Sequence, residues 1–340
     1  MSKIIFTYKQ KKSDAAWSSI INDLGQQIAE KFEFTNIITL DNSNFSSLLH
    51  SYKKLKGSLP QSDDIIIVNH AITYWLFLPL LIRYKFKGVK IIFLFHEHEH
   101  ILGLKYCMKH FRHIKIKEYL RHFSWWYKVP YLFSSKVVCL SSYQGVSLAK
   151  VDFERLSYLG VDQKRFPIKK DTAKIQNQNT TKVLFAHDPT RFDKGDRFST
   201  ALKQDSTIEF IYGREQILDY AMVYKKYHNA DIIFLPSDSE SYSLVLAESL
   251  ATNSCIVTNA NVGIVQLLIS TYSIDQLANF GLFISEHQET EYVKNIENAK
   301  CFLQTNQVKT YQLFELLALD QTNSFNRLSS FINRMRITNV

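Results

Sequence analysis

The sequence predicts an α/β protein of two doubly wound parallel-sheet domains facing a cleft. Three observations carry this expectation. Ten short β-branched runs alternate with segments of helical periodicity. The runs are apolar throughout, so both faces of each strand need covering, as in parallel sheets with helices on either side. The rhythm breaks once, at residues 169–181, and 340 residues are enough for two domains.

The expected strands of the first half are Lys3–Tyr8, Asn36–Leu40, Asp64–Asn69, Val89–Phe95 and Lys136–Leu140. Between the first two, Ile20, Ile21, Leu24 and Ile28 recur at helical spacing. Residues 169–181 read KKDTAKIQNQNTT, polar with a single isoleucine, and form the expected interdomain connection. The strands of the second half are Lys182–His187, Thr207–Tyr212, Asp231–Leu235, Cys255–Thr258 and Gly281–Ser285. The expected division is 1–168 for the first domain and 182–321 for the second. Residues 322–340 are read as a C-terminal helix, with a return to the first domain as one course open to it.

Hydrophobic residues make up 46% of the chain, enough for a core in each half. No stretch of eighteen apolar residues occurs, so no membrane-spanning helix is expected. MSKIIFTYKQKKSD turns charged after a short apolar run and reads as a first strand rather than a secretory signal. The four cysteines are scattered without metal spacing, and two of them, Cys139 and Cys255, lie inside apolar runs, which favours buried thiols in a reducing cytoplasm. The charge of +9 suits a phosphate-rich substrate, an anionic lipid surface or nucleic acid.

Residues 228–263 carry the chemistry. Asp231–Leu235 is read as a buried strand, 236–241 as a polar loop, Tyr242–Thr252 as a helix ended by Asn253, and Cys255–Thr258 as the next strand. The loop of this βαβ unit lies at a strand's carboxyl end, where ligands of such sheets bind. Ser241 or Ser243 caps the helix, and the free amides of Tyr242, Ser243 and Leu244 at its start suit a phosphate group. Glu240 precedes this helix and Glu248 sits one to two turns inside it.

Two glutamates eight apart, after a strand ending in Pro-Ser and before an Ala-Glu-Ser-Leu-Ala helix, resemble the E-x7-E motif of retaining GT-B glycosyltransferases, and among them the large family numbered four. The resemblance implies two Rossmann-like domains, an acceptor-side first domain and a second domain for a nucleotide-sugar donor. It implies that Glu240 contacts the transferred sugar and Glu248 the ribose. A carboxylate accepts from both hydroxyls of a diol, which suits these roles. Lys182–Asp196 resembles the strand and loop that hold the diphosphate, with Arg191 and Lys194 at the cationic positions. There the family's Gly-Arg after the strand is replaced by His187-Asp188, and Arg191 stands nearer the lysine than usual. Lys136–Leu148, Leu159–Asp162 and Phe166 resemble the end of the first domain. Asn261-Val262-Gly263 matches the turn after the donor helix, with Ile264 in place of a second glycine.

The first domain departs further. The loop TYKQKKSDAAW lacks the glycines that shape the acceptor side in the family, and its Lys9, Lys11 and Lys12 fit either an anionic group or a solvated run. His96 matches a family histidine near the sugar. His96, His98 and His100 also have the spacing of a zinc site, but no further ligands accompany them and the family needs no metal, so neither metal nor cofactor is expected. Residues 102–128 interleave seven cations with aromatics, and read either as an interfacial helix on anionic lipid or as core aromatics with a solvated face. No nucleic-acid motif is present, and nucleic acid is not an expected partner.

The expected activity is metal-independent, retaining sugar transfer from a nucleoside-diphosphate sugar to a glycan or lipid-linked acceptor, in cell-surface polysaccharide or glycolipid synthesis. The expected place is the cytoplasm or the inner face of the membrane. Two alternatives stay open: a non-catalytic subunit with this fold that binds a partner glycosyltransferase, and a sugar-nucleotide epimerase.

Overall fold

The structure, a computed structural model, describes residues 3–9, 16–40, 45–69, 71–95, 125–140, 153–169, 180–187, 189–213 and 220–337. It divides into two compact units. Among the described residues the first runs to Tyr158 and resumes at Phe325, and the second is Leu159–Ser324.

The first unit is built on a six-stranded parallel sheet of order β2-β1-β3-β4-β5-β6. Its strands are β1 (Ile4–Lys9), β2 (Thr35–Leu40), β3 (Ile65–Asn69), β4 (Lys90–Phe95), β5 (Lys136–Cys139) and β6 (Phe153–Arg155). Helices α1 (Ala16–Lys31), α2 (Phe45–Gly57), α3 (Ala71–Lys85) and α4 (Trp125–Phe133) connect them. On one face Ile5, Ile66, Val68, Ile91 and Phe93 pack against Ala71, Tyr74, Phe77, Leu81 and Tyr84 of α3. These α3 residues recur every three to four positions, the spacing that turns one face of a helix inward.

The second unit holds a five-stranded parallel sheet of order β11-β10-β9-β7-β8. The strands are β7 (Thr181–Phe185), β8 (Ile208–Tyr212), β9 (Ile232–Leu235), β10 (Cys255–Asn259) and β11 (Leu282–Ser285). Helices are α5 (Thr200–Gln204), α6 (Tyr220–Asn229), α7 (Leu244–Ala251), α8 (Gly263–Ile269), α9 (Ile274–Asn279), α10 (Glu289–Thr305) and α11 (Thr310–Leu316), with α12 (Gln321–Ile337) running on into the first unit. Tyr292, Ile296, Ala299 and Leu303 of α10 cover one face of this sheet, against Phe185, Ile232, Phe234 and Val257.

Both sheets are parallel and doubly wound. In each the chain starts centrally, goes out to one side and returns past its first strand. The reversal falls between β1 and β3 in the first unit, and between β7 and β9 in the second. Ligands of open α/β sheets bind beyond the strands' carboxyl ends at such a reversal.

Three details correct the sequence reading. Strand β6 was not expected; its three residues, two of them charged, show too short a pattern, and register with β5 (Val137↔Phe153) makes the strand. The helix expected from Tyr242 starts at Leu244, because Ser243 takes a left-handed φ of 73° that no helix can contain. The first unit ends ten residues before the expected 168. Leu159–Lys169 is held by the second unit: Val161 donates its amide to Leu319 O, Gln321 to Val161 O, and Lys169 to Thr252 O. Gly160 is required there, since a Cβ would meet the Asp320 carbonyl group.

Candidate functional site

A buried charge cluster sits where β7 and β9 end. Lys194 Nζ donates to Glu240 Oε1 at 2.7 Å, Ser237 Oγ donates to the same oxygen at 2.8 Å, and His187 Nε2 lies 3.1 Å from it. Lys194, His187 and Glu240 are each under a tenth exposed, and Ser237 is fully buried. Burial alone would raise the Glu240 carboxyl, but the charge of Lys194 and the hydrogen bonds from His187 and Lys194 overturn that and hold it well below the ordinary carboxylate range. Burial pushes the His187 imidazole down, with Glu240 pulling the other way, so the ring is neutral at pH 7. With an acceptor on one side, Nε2 is the nitrogen that keeps the hydrogen. All three donors converge on Oε1; among the described residues Glu240 Oε2 has no partner. A second donor, such as a hydroxyl group, finds that oxygen available.

Local sequence explains how these groups meet. The loop after β7 turns through a single 3-10 turn, Phe192–Lys194, and ends at Gly195 with φ 78°. Any Cβ at Gly195 would run into the Pro236 carbonyl oxygen. The glycine therefore lets this loop lie on the loop after β9, where the Asp193 carbonyl accepts the Asp238 amide at 2.9 Å. Gly195→Ala is expected to destabilise the protein by about 3 kcal/mol, from left-handed strain plus overpacking. It should lower Lys194-dependent chemistry as well; a variant melting and turning over like the parent would refute this account of the loop.

Glu240 is fixed by its backbone. Its amide donates to Asn261 O at 3.0 Å and its carbonyl accepts from Gly263 at 2.9 Å, so the Asn261–Gly263 turn clamps it. Below the loop, Asp238 accepts from Arg197 and, at 2.8 Å, pairs with His287 Nε2. His287 Nδ1 meets Tyr292 Oη at 2.8 Å, and Asn259 Nδ2 reaches both Tyr292 Oη and Ser237 O. Arg197 lies between the Phe192 and Phe198 rings, 4.3 and 4.4 Å from their centres.

Helix α7 begins beside Glu240. Ser243 Oγ caps it, accepting from Leu246 N at 3.2 Å, which resolves the choice between Ser241 and Ser243. Leu244 and Val245 have no backbone acceptor among the described residues, as the first amides of a helix do not. The Tyr242 side chain is turned inward, its hydroxyl donating to Leu159 O at 2.9 Å. Glu248, 3% exposed on α7, accepts from Tyr227 Oη at 2.9 Å.

The expected site residues thus separate. Glu240, Lys194 and the start of α7 come together at the carboxyl edge, with Glu248 further along the same helix. Arg191 is directed elsewhere: its guanidinium forks onto Asp193 at 2.6 and 3.1 Å and is 45% exposed. His96, Lys11, Lys12, residues 98–124 and most of the 169–181 connection lie outside the described residues. Among the described residues no group of histidine, cysteine and carboxylate side chains has the arrangement of a metal site, and no helix is long and apolar enough to cross a membrane. Sequence reading did not assign Ser237, Arg197, Asp238, Asn259, His287 or Tyr292. It noted His187 only as a departure from the family's pattern.

Structures of known proteins share this architecture. Sucrose-phosphate synthase from Thermosynechococcus elongatus superposes with a TM-score of 0.66 at 13% identity, covering 98% of this chain and 99% of that one. Anabaena HepE in complex with UDP gives 0.62 at 13%, covering 98% and 100%. The catalytic domain of starch synthase IV from Arabidopsis thaliana, bound to ADP and acarbose, gives 0.62 at 11%, covering 99% and 100%. The chain has the GT-B fold. The likeness is one of structure: no protein-family profile matches the sequence, and no curated protein does.

Proposed function

We propose that the chain is a retaining glycosyltransferase that moves a sugar from a nucleoside-diphosphate sugar to a glycan or lipid-linked acceptor, without a metal. The observation that carries this reading is the buried Lys194–Glu240 pair, with Glu240 Oε2 unpartnered among the described residues, at the carboxyl ends of β7 and β9 beside the start of α7. Neighbouring structures contain UDP, UDP with glucose, and ADP, which supports a nucleotide on this fold.

In this reading the diphosphate lies against the amides of Leu244 and Val245, where a helix's positive end favours an anion. Lys194 offsets the charge that develops as the nucleotide leaves, and Arg191 can join it by releasing Asp193. Glu248 accepts from the ribose diol, with Tyr227 fixing its carboxylate. Glu240 Oε2 accepts from a hydroxyl of the transferred sugar, and its remaining oxygen stays anchored by three donors. The leaving phosphate takes the acceptor's proton on the face it departs from, so the protein supplies position and electrostatics rather than a nucleophile. His96 borders the sugar. Sugar transfer in cell-surface polysaccharide or glycolipid synthesis, in the cytoplasm or at its membrane, is the setting that fits.

The test is turnover of UDP-, GDP- and ADP-sugars by the purified chain, with and without acceptor sugars and with a chelator present. One donor is expected to be hydrolysed slowly alone, and the anomeric proton coupling of the transfer product should match that of the donor. No turnover of any donor would favour a non-catalytic subunit; interconversion of the donor's sugar would favour an epimerase.

A further inference from the structure

We propose that the amino edge of the six-stranded sheet, opposite the carboxyl edge, is a docking surface for an anionic lipid bilayer. In a parallel sheet every loop entering a strand lies along one edge. The loops entering β2, β3, β4 and β5 are all within the described residues and are knit together there: Ile4 donates to Phe34 O, Lys3 and Gln61 amides to Asp64, Lys90 to Asp64 O, and Ser135 to Ile91 O. The last turn of α12 joins the same edge, with Lys90 Nζ on Met335 O at 2.7 Å and Arg336 over the Phe32 ring.

Exposed apolar side chains gather on this edge. Phe34 precedes β2, Leu59 (72% exposed) precedes β3, Phe86 (86%) precedes β4, Leu132 (68%) precedes β5, and Ile337 (81%) ends α12. Among the described residues of the unit, Leu49 alone of the large exposed apolar side chains lies elsewhere. Strands sit ~4.8 Å apart, so from β2 to β5 the row is about 19 Å long. Cations are interspersed: Lys31 at the end of α1, Lys54 and Lys56 of α2, Arg83 and Lys85 of α3, Lys87, and Arg334 and Arg336 of α12; they outnumber the exposed carboxylates of Glu30, Glu33 and Asp63 beside them.

Cations at helix carboxyl ends also offset the helix dipole, and Lys54, Lys85 and Lys3 each donate to a backbone carbonyl. That accounts for some of the lysines and for none of the apolar side chains. A protein interface has a contiguous apolar centre from which lysine is depleted. Separate apolar side chains among lysines and arginines instead match the headgroup layer, where apolar groups insert singly and each cation near an anionic surface adds about 1 kcal/mol. The surface lies on the first unit only, so it is independent of the chemistry assigned to the second.

Sedimentation of the full chain with vesicles tests it. Binding is expected to phosphatidylcholine mixed with phosphatidylglycerol, to weaken as salt rises, and to be at least tenfold lower on phosphatidylcholine alone. Lys56→Ala/Lys87→Ala should lower the partition coefficient about thirtyfold, two cations at about 1 kcal/mol each. Leu59→Asn/Phe86→Ser should lower it about tenfold or more. All four positions are exposed, and unchanged melting verifies that the variants fold. No binding to the anionic vesicles, or equal binding by parent and variants, overturns the proposal. So does a dimer seen by light scattering that Leu59→Asn/Phe86→Ser dissociates, which would make the edge an interface between two copies.

Discussion

Lys194→Met is expected to be the most destabilising single change at the site, lowering stability by about 3–5 kcal/mol at neutral pH, or about 10 °C in melting of the second unit. The cause is the carboxylate left behind. Glu240 is buried, and without Lys194 its charge is answered, among the described residues, only by Ser237 and a neutral His187. The pH dependence should change sign. In the parent the Glu240 carboxyl is held below its unfolded value, so its stabilisation is present above the unfolded pKa of about 4.3 and is lost as pH falls through the folded one. In Lys194→Met burial outweighs the hydrogen bonds of Ser237 and His187 and lifts that carboxyl, so the variant loses stability as pH rises toward neutrality. Melting curves between acid and neutral pH distinguish the two slopes, and Lys194→Met/Glu240→Gln should regain most of the loss, since no buried charge remains. A single variant that melts like the parent at pH 7 would mean that the pair is not coupled as described.

Glu240→Gln is expected to have the largest effect on chemistry. The carboxamide keeps the shape but removes the negative acceptor that Oε2 offers, and it leaves Lys194 only the more distant Asp193 Oδ2, at 3.8 Å, as a counter-charge. Donor hydrolysis and transfer should each fall about 100-fold or more, while nucleotide affinity changes by no more than severalfold, because Glu248 and the amides of α7 are untouched. That division between turnover and binding separates a role at the sugar from a general loosening of the loop. Full-rate transfer by Glu240→Gln would remove Glu240 from the site.

Much of the fold could be read before the structure, and the reasons are local. All ten expected strands are present within one or two residues at their ends. Two of the end errors fall where a side chain closes a turn. Asp64 was taken into β3, but its carboxylate accepts from the Lys3 and Gln61 amides just before the strand begins. Asp231 likewise precedes β9, accepting from the Lys182 amide. A continuous apolar run reveals a strand and not the polar lock at its start. The candidate site was legible where its residues sit on one βαβ unit: Glu240, Glu248 and the Ser243 cap lie within nine residues. Lys194 was found through its glycine neighbour. His187, Asn259 and His287 come from three other strand ends, and only the strand order brings them under one loop. Arg191 was assigned through the family resemblance, and in the structure it pairs with a carboxylate two residues away, Asp193. Spacing along a chain does not rank such competitors.

The most direct test of the central claim, a nucleoside-diphosphate site on the second unit, is a melting screen of the parent and Glu248→Ala with UDP, GDP, ADP and CMP. One of the diphosphates is expected to stabilise the parent by about 2.7 kcal/mol at a hundred times its Kd, with CMP weaker and with most of the shift lost in Glu248→Ala. If none of the four nucleotides raised the melting temperature of the parent, or if Glu248→Ala responded as the parent does, the assignment of this site would be contradicted.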